Sequence, residues 1–206
     1  MMMKVVKTLA AATILAFGTL TAAQAATVTY QTSGLANPDA LITFDEGALA
    51  DGTPVTNQFD GVSFSSGLHI NTVAYPFPNV PARNLRNFSP IAGTFSILFD
   101  DNVTDATFSM VTNFGISSFT AVLDGVEVET FRALTTLYSP ANYFGFTGIV
   151  FDEIRVAAGG SNSAMLIDNL AYNWETPPAV PVPASLPLML GGLIVFGVMR
   201  ARRKSA

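Results

Sequence analysis

The residues in this chain with chemistry to offer are carboxylates. Asp45-Glu46, Asp152-Glu153 and Asp168-Asn169 sit within or beside apolar runs, and Asp100-Asp101-Asn102 with Asp105 forms a further acidic patch. Two carboxylates about 5–9 Å apart are the minimum for glycoside hydrolysis, so Asp45, Glu46, Asp152 and Glu153 are the candidates for a polysaccharide-active enzyme. Their place beside turns favours solvated surface groups instead. Hard cations such as calcium also want several oxygens from carboxylates and carbonyls. The Asp100–Asn102 patch lacks EF-hand spacing and reads as a hairpin turn, with Asp and Asn serving local turn geometry.

Other reaction types lack their residues. His69 is the single histidine and lies in the apolar run Leu68-His69-Ile70, where a structural or surface role is expected. With no cysteine and no Gly-x-Ser-x-Gly, acyl transfer has no nucleophile and base pair. Zinc has neither a His-Glu-x-x-His nor a cysteine pair. Gly191-Gly192 falls in an apolar segment and Gly159-Gly160-Ser161 reads as a β-turn, so neither is a phosphate loop after a strand. A non-catalytic protein is expected.

Glycan binding needs exposed aromatic planes beside hydrogen-bonding groups. The Pro-rich stretch Tyr75 to Pro81, with Phe77 in it and Arg83, Asn84, Arg86 and Asn87 after it, is the longest irregular segment and supplies both. Tyr75, Phe77, Arg83 and Arg86 are the candidate glycan contacts. Tyr138, Tyr143 and Phe144 form a second aromatic group around Pro140. Packing of these rings into the edge of the core is the competing reading. Trp174 precedes a Pro-rich linker and is expected to cap the last strand.

Charge divides the chain. All 15 carboxylates fall between residues 26 and 179, against Arg83, Arg86, Arg132 and Arg155, which leaves that body at −11. Nucleic acid is therefore no partner for it, because phosphate binding needs a basic face. The absence of cysteine means that an exported body must hold together by its core, or by a core and a metal.

Between residues 26 and 175 the pattern is strand and turn throughout. Short runs rich in Val, Ile, Phe and Thr recur between Gly, Asn, Asp and Pro clusters: 27–30, 41–44, 62–64, 68–73, 94–99, 106–111, 119–123, 126–131, 148–151, 154–157 and 165–172. Such spacing predicts an all-β, antiparallel, two-sheet β-sandwich. The sharpest local expectation is a hairpin over 118–131, where Asp124-Gly125 supplies the positive backbone angles of a type I′ turn. Phe119, Ala121 and Leu123 alternate with Ser118, Thr120 and Val122 before it, and Val126 and Val128 alternate with Glu127 and Glu129 after it.

The two ends carry other signals. Residues 1–25 read as a signal peptide, with Lys4 and Lys7, an apolar core from Leu9 to Leu20, and Ala23-Gln24-Ala25 as the cleavage site. Residues 176–185 read as a Pro-rich linker containing Val180-Pro181-Val182-Pro183-Ala184, residues 186–199 as a short transmembrane helix, and residues 200–206 as a basic tail held in the cytoplasm by Arg200, Arg202, Arg203 and Lys204. The motif, the apolar run with its glycines, and the basic cluster together resemble the VPLPA-CTERM variant of the PEP-CTERM sorting signals of Gram-negative bacteria. Val182 replaces the leucine of that variant. The resemblance implies recognition and cleavage by an exosortase, a precursor held transiently in the inner membrane, and a mature body at the cell surface or secreted into the extracellular matrix. An ordinary C-terminal anchor is the alternative, although 14 residues fall short of the roughly 20 that span a bilayer.

Within the body, Ile42 to Glu46, Gly61 to Phe64, Phe151 to Val156, the loop 157–163 and Met165 to Tyr172 resemble the jelly-roll sandwich domains of sorted surface proteins and carbohydrate-binding modules. The resemblance implies neighbouring first and last strands, so that Asp45, Glu46 and Asp168 converge on one structural calcium. The expected function is that of a surface or matrix protein, with exopolysaccharide binding as the alternative.

Overall fold

The computed structural model describes residues 26–65, 67–81, 83–87, 93–160 and 164–175. The signal peptide, the linker with its Val180–Ala184 motif, the apolar segment and the Arg200–Lys204 cluster lie outside the described residues.

The described chain forms eleven strands: β1 Ala26–Gln31, β2 Ala40–Ile42, β3 Val62–Phe64, β4 Leu68–Asn71, β5 Asn84–Asn87, β6 Thr94–Thr112, β7 Gly115–Leu123, β8 Val126–Thr135, β9 Tyr143–Thr147, β10 Phe151–Ala157 and β11 Met165–Trp174. Every pairing is antiparallel. The expected two sheets are joined into one hydrogen-bonded set by β6. Its first part, Thr94 to Phe99, runs between β3 and β10, and its second part, from Val103 onward, runs between β9 and β11. The acidic patch expected to turn a hairpin instead lies where β6 changes partners. Asp100, Asp101 and Asn102 stay exposed there while the strand continues, because flanking residues on both sides find ladder partners.

Alternation along the strands gives each group of partners one apolar face, and the two faces meet through aromatic rings. Phe119 of β7 stacks on Phe144 of β9 at 5.0 Å, Phe131 of β8 meets Phe146 of β9 at 5.2 Å, and Phe99 of β6 meets Tyr172 of β11 at 5.1 Å. Each such pair adds about 0.5–1.5 kcal/mol to the burial of its rings. The result is an all-β antiparallel domain with sandwich-like packing.

Two strands are absent from the expectation. β5 lies within the stretch read as irregular, and β9 replaces a strand expected at 148–151, where Gly148 takes φ 71° and the next strand starts at Phe151. In the hairpin, Asp124 at φ 51° and Gly125 at φ 79° make the expected turn. Its outer half departs from the expected alternation. Ala121 pairs with Glu129 but Val122 with Glu127, so Val128 is an extra residue on β8. A bulge of one residue moves the side chains after it to the other face; Val128 in the bulge and Val126 beside the turn are both exposed.

Candidate functional site

Two places gather polar chemistry, and both depend on how irregular backbone is pinned to the strands. The first is at β11. Asp168 pairs with Ser109, but Ala171 pairs with Thr107, so β11 carries one residue more than β6 across this interval. Asn169 takes φ 52° to accommodate it. Ile167 and Leu170 remain in the hydrophobic core on either side, and Asp168, next to inward-facing Ile167, falls on the opposite face by strand alternation. The residue is nevertheless 0% exposed. Its Oδ1 accepts the Asn169 N–H at 2.6 Å, and its Oδ2 has no hydrogen-bond partner.

Hydrogen bonds tie the backbone of this bulge to the neighbouring loop. Ser109 Oγ lies 3.0 Å from the Asp168 carbonyl and 2.6 Å from the Asn79 carbonyl, which also accepts Asn169 Nδ2 at 2.8 Å. Asp45 and Glu46 act on Asp168 only as like charges. Burial, then those two charges, push its carboxyl up to about 8 against the opposing Asn169 N–H. Asp45 and Glu46 themselves are engaged elsewhere. Asp45 faces Arg83 at 3.8 Å, and Glu46 Oε1 accepts both the N–H and the hydroxyl of Thr43 at 3.0 Å. Among the described residues, no three His, Cys, Asp or Glu side chains close up into a metal-binding group.

The second place is a cleft of about 320 Å³ with Tyr75, Phe77, Arg86, Asn87 and Asn113 in its wall and Met165 among the apolar residues lining it. The Tyr75 and Phe77 rings are stacked, 5.3 Å apart and 12° from parallel, and Tyr138 meets Phe77 edge-on at 5.5 Å. Tyr75 and Tyr138 are 39% and 68% exposed, whereas Tyr143 and Phe144 are buried. The candidate glycan contacts therefore separate. Tyr75, Phe77 and Arg86 share the cleft, but Arg83 donates from Nη1 to the Leu49 carbonyl at 2.5 Å and does not line it. Tyr138 and Asn113 join the set only through the fold.

Asparagines fix the aromatic loop in place. Asn79 donates to the Pro140 carbonyl and to Asn142 Oδ1, and Asn142 donates back to the Pro78 carbonyl. Asn71 donates to Asn84 Oδ1, while Asn84 donates to the Pro81 carbonyl. These amide bonds tie the loop to its neighbours, although the buried Asn71 Oδ1 itself has no partner.

The remaining carboxylate pair is engaged in the sheet. Glu153 takes two hydrogen bonds of 2.9 Å from Arg155 and one of 2.6 Å from Ser96 Oγ. Burial pushes its carboxyl up, but these bonds and the Arg155 charge outweigh that and hold it below its usual range. Asp152 Oδ2 accepts the Asp124 N–H at the hairpin turn.

No family model and no curated protein matches the chain. Among solved structures it has distant similarity to GH31 CBM32-2 bound to GalNAc, at 13% identity and TM-score 0.36, covering 55% of this chain and 97% of that one. It is also similar to the Agl-KA catalytic domain, at 13% identity and TM-score 0.33, covering 72% of this chain and 32% of that one. A third likeness is to the Clostridium thermocellum xylanase Xyn10B CBM22-1-GH10 modules complexed with xylohexaose, at 12% identity and TM-score 0.33, covering 63% of this chain and 29% of that one.

Proposed function

We propose that this is an exported, non-catalytic surface or matrix protein of a Gram-negative bacterium, sorted by an exosortase, whose β-domain binds exopolysaccharide in the Tyr75–Phe77–Arg86 cleft. The observation that carries the binding reading is the aromatic loop, held by asparagine hydrogen bonds beside Arg86, Asn87 and Asn113. Sugar rings offer apolar faces to aromatic planes and hydroxyls to amides and guanidinium groups, and a loop already fixed loses little entropy when they bind. Nucleic acid is disfavoured by the −11 body.

The enzyme alternative has less support. A general acid needs a raised pKa and access to the leaving oxygen. Glu153 is held low, and Asp168, though raised, is fully enclosed. The test is retention on purified matrix glycan from the host. Tyr75→Ala and Tyr138→Ala are each expected to weaken retention about tenfold, as loss of an exposed aromatic anchor does at binding surfaces, with folding intact by circular dichroism. Unchanged retention in the double variant, or release of reducing ends from the glycan, would remove the reading.

A further inference from the structure

We infer that Asn102 is an acceptor for an N-linked glycan, attached while the exported chain is still unfolded. This rests on the export reading and not on what the cleft binds. The run Asp100-Asp101-Asn102-Val103-Thr104 contains Asn-Val-Thr, the Asn-x-Ser/Thr tripeptide whose asparagine amide takes a glycan in exported proteins. Asp100 adds a carboxylate two residues before the acceptor, a charge by which a basic transferase surface can hold the chain. The fold puts this run where a sugar fits. Between Leu98 and Val103 β6 carries four residues, whereas between their partners Glu153 and Phe151 β10 carries one. The surplus bulges outward, so Asp100, Asp101 and Asn102 are exposed, while Val103 is buried and Thr104 Oγ1 donates to Asp105 at 2.9 Å.

The tripeptide recurs at Asn87-Phe88-Ser89, and the fold treats the two asparagines differently. Asn87 pairs with Leu68 in the sheet, its Oδ1 accepts the Met165 N–H at 2.9 Å, and it lines the aromatic cleft, which a glycan there would fill. Asn102 lies at the far end of the strand. Val111, which lines the cleft, is nine residues further along β6, about 25–30 Å at the rise of a β-strand. A glycan on Asn102 therefore leaves the cleft open and displaces no core side chain. Because Val103 and Thr104 are fixed once the domain has folded, a transferase must grip this run beforehand. Transfer forms a bond from Asn102 Nδ2 to the anomeric carbon of the sugar and breaks the bond from that carbon to the pyrophosphate of a lipid-linked oligosaccharide. The amide gives up one proton, and the lipid pyrophosphate leaves with the electron pair of the broken bond.

The full chain, made in a cytoplasm without N-glycosylation, is unfolded in urea and diluted into a bacterial oligosaccharyltransferase with a polyprenyl-pyrophosphate oligosaccharide. Intact mass and peptide mapping read the product, and the same mapping is applied to protein from the native cell surface. One glycan per chain is expected in both samples, on Asn102. Asn102→Gln and Thr104→Val should reduce addition to background, and Asn87→Gln should leave it unchanged. Asp100→Asn should slow it about tenfold, as loss of a steering charge does at a binding surface. After refolding, Asn102→Gln should keep the wild-type melting temperature, because the residue is exposed. No addition to the unfolded wild-type chain would overturn the inference. So would addition that survives Asn102→Gln, or surface protein with a bare Asn102. Native protein kept inside the cell with residues 1–25 attached would instead sink the export reading, and the assay on the unfolded chain would still decide whether Asn102 is an acceptor.

Discussion

An enclosed carboxyl group resists ionisation, and that makes the folded chain respond to pH through Asp168. Its carboxyl is pushed from the usual 3.8 to about 8, by burial first and then by Asp45 and Glu46. The folded chain then keeps a proton that the unfolded chain releases. The associated stabilisation is complete below about pH 4 and is lost as pH rises toward about 8. Glu46 and Glu153, both held below their usual 4.5, act in the other direction and only at lower pH. Tyr143, raised above 10.0 by burial and by the Asp168 charge, titrates above the window. The protein should therefore lose melting temperature steadily between about pH 5 and 8, and Asp168→Asn should flatten that slope. A wild-type slope of the opposite sign would show that Asp168 is not the protonated group. The sequence marked Asp168 as a ligand candidate, but nothing in Met165 to Tyr172 announces the bulge beside it or its full burial. That bulge comes from a register shift against β6, which local pattern does not encode.

At the level of elements, the hairpin is the clearest case of a local rule that holds and a neighbouring one that fails. Asp124 and Gly125 take the positive angles a two-residue turn demands. A Cβ at Gly125 would meet nothing within 4 Å, so any penalty at this position comes from backbone conformation alone. Gly125→Val is expected to destabilise the domain by about 1–3 kcal/mol, since a β-branched residue resists φ near 79°. Glu127→Ala, on an exposed position, should change stability by less than about 0.5 kcal/mol. Equal shifts in denaturation midpoint for the two would contradict the strain at Gly125. The alternation of Val126 and Val128 misleads because Val128 is a bulge residue, and one extra residue reverses the faces of its successors along the strand. β9 is hidden by Gly145, whose glycine reads as a break; in the fold a Cβ there would collide with the Ala106 carbonyl of β6, so glycine permits the close approach. β5, Asn-Leu-Arg-Asn, has little strand character of its own and is held by pairing with β4 and β11. The turn between Asp124 and Gly125, the core phenylalanines and most strand positions are legible because they depend on neighbouring residues. The aromatic cleft is legible only in part, because Asn113 lines it, and Tyr138 meets Phe77 at its side, only through long-range contacts.

For the molecule as a whole, the division of charge carries the proposal about export. Fifteen carboxylates sit in the body, while the C-terminal seven residues hold four of the ten basic side chains and no acid. Basic clusters resist translocation, so under that proposal the tail stays in the cytoplasm and the acidic body passes outside. Leu186 to Met199 contains Pro187 and three glycines and is too short for a comfortable span, which favours transient residence over permanent anchoring. Mass spectrometry of the protein recovered from the native cell surface should therefore end near Val180 to Ala184 and lack Arg200 to Lys204. Deleting the host exosortase should leave the longer form in the inner membrane, and replacing Pro181 and Pro183 by alanine should do the same without altering the β-rich spectrum. Surface protein that retains Arg200 to Lys204 would make the segment an ordinary anchor. That outcome would remove exosortase sorting from the proposal and leave the glycan test standing, because binding does not depend on how the body is released.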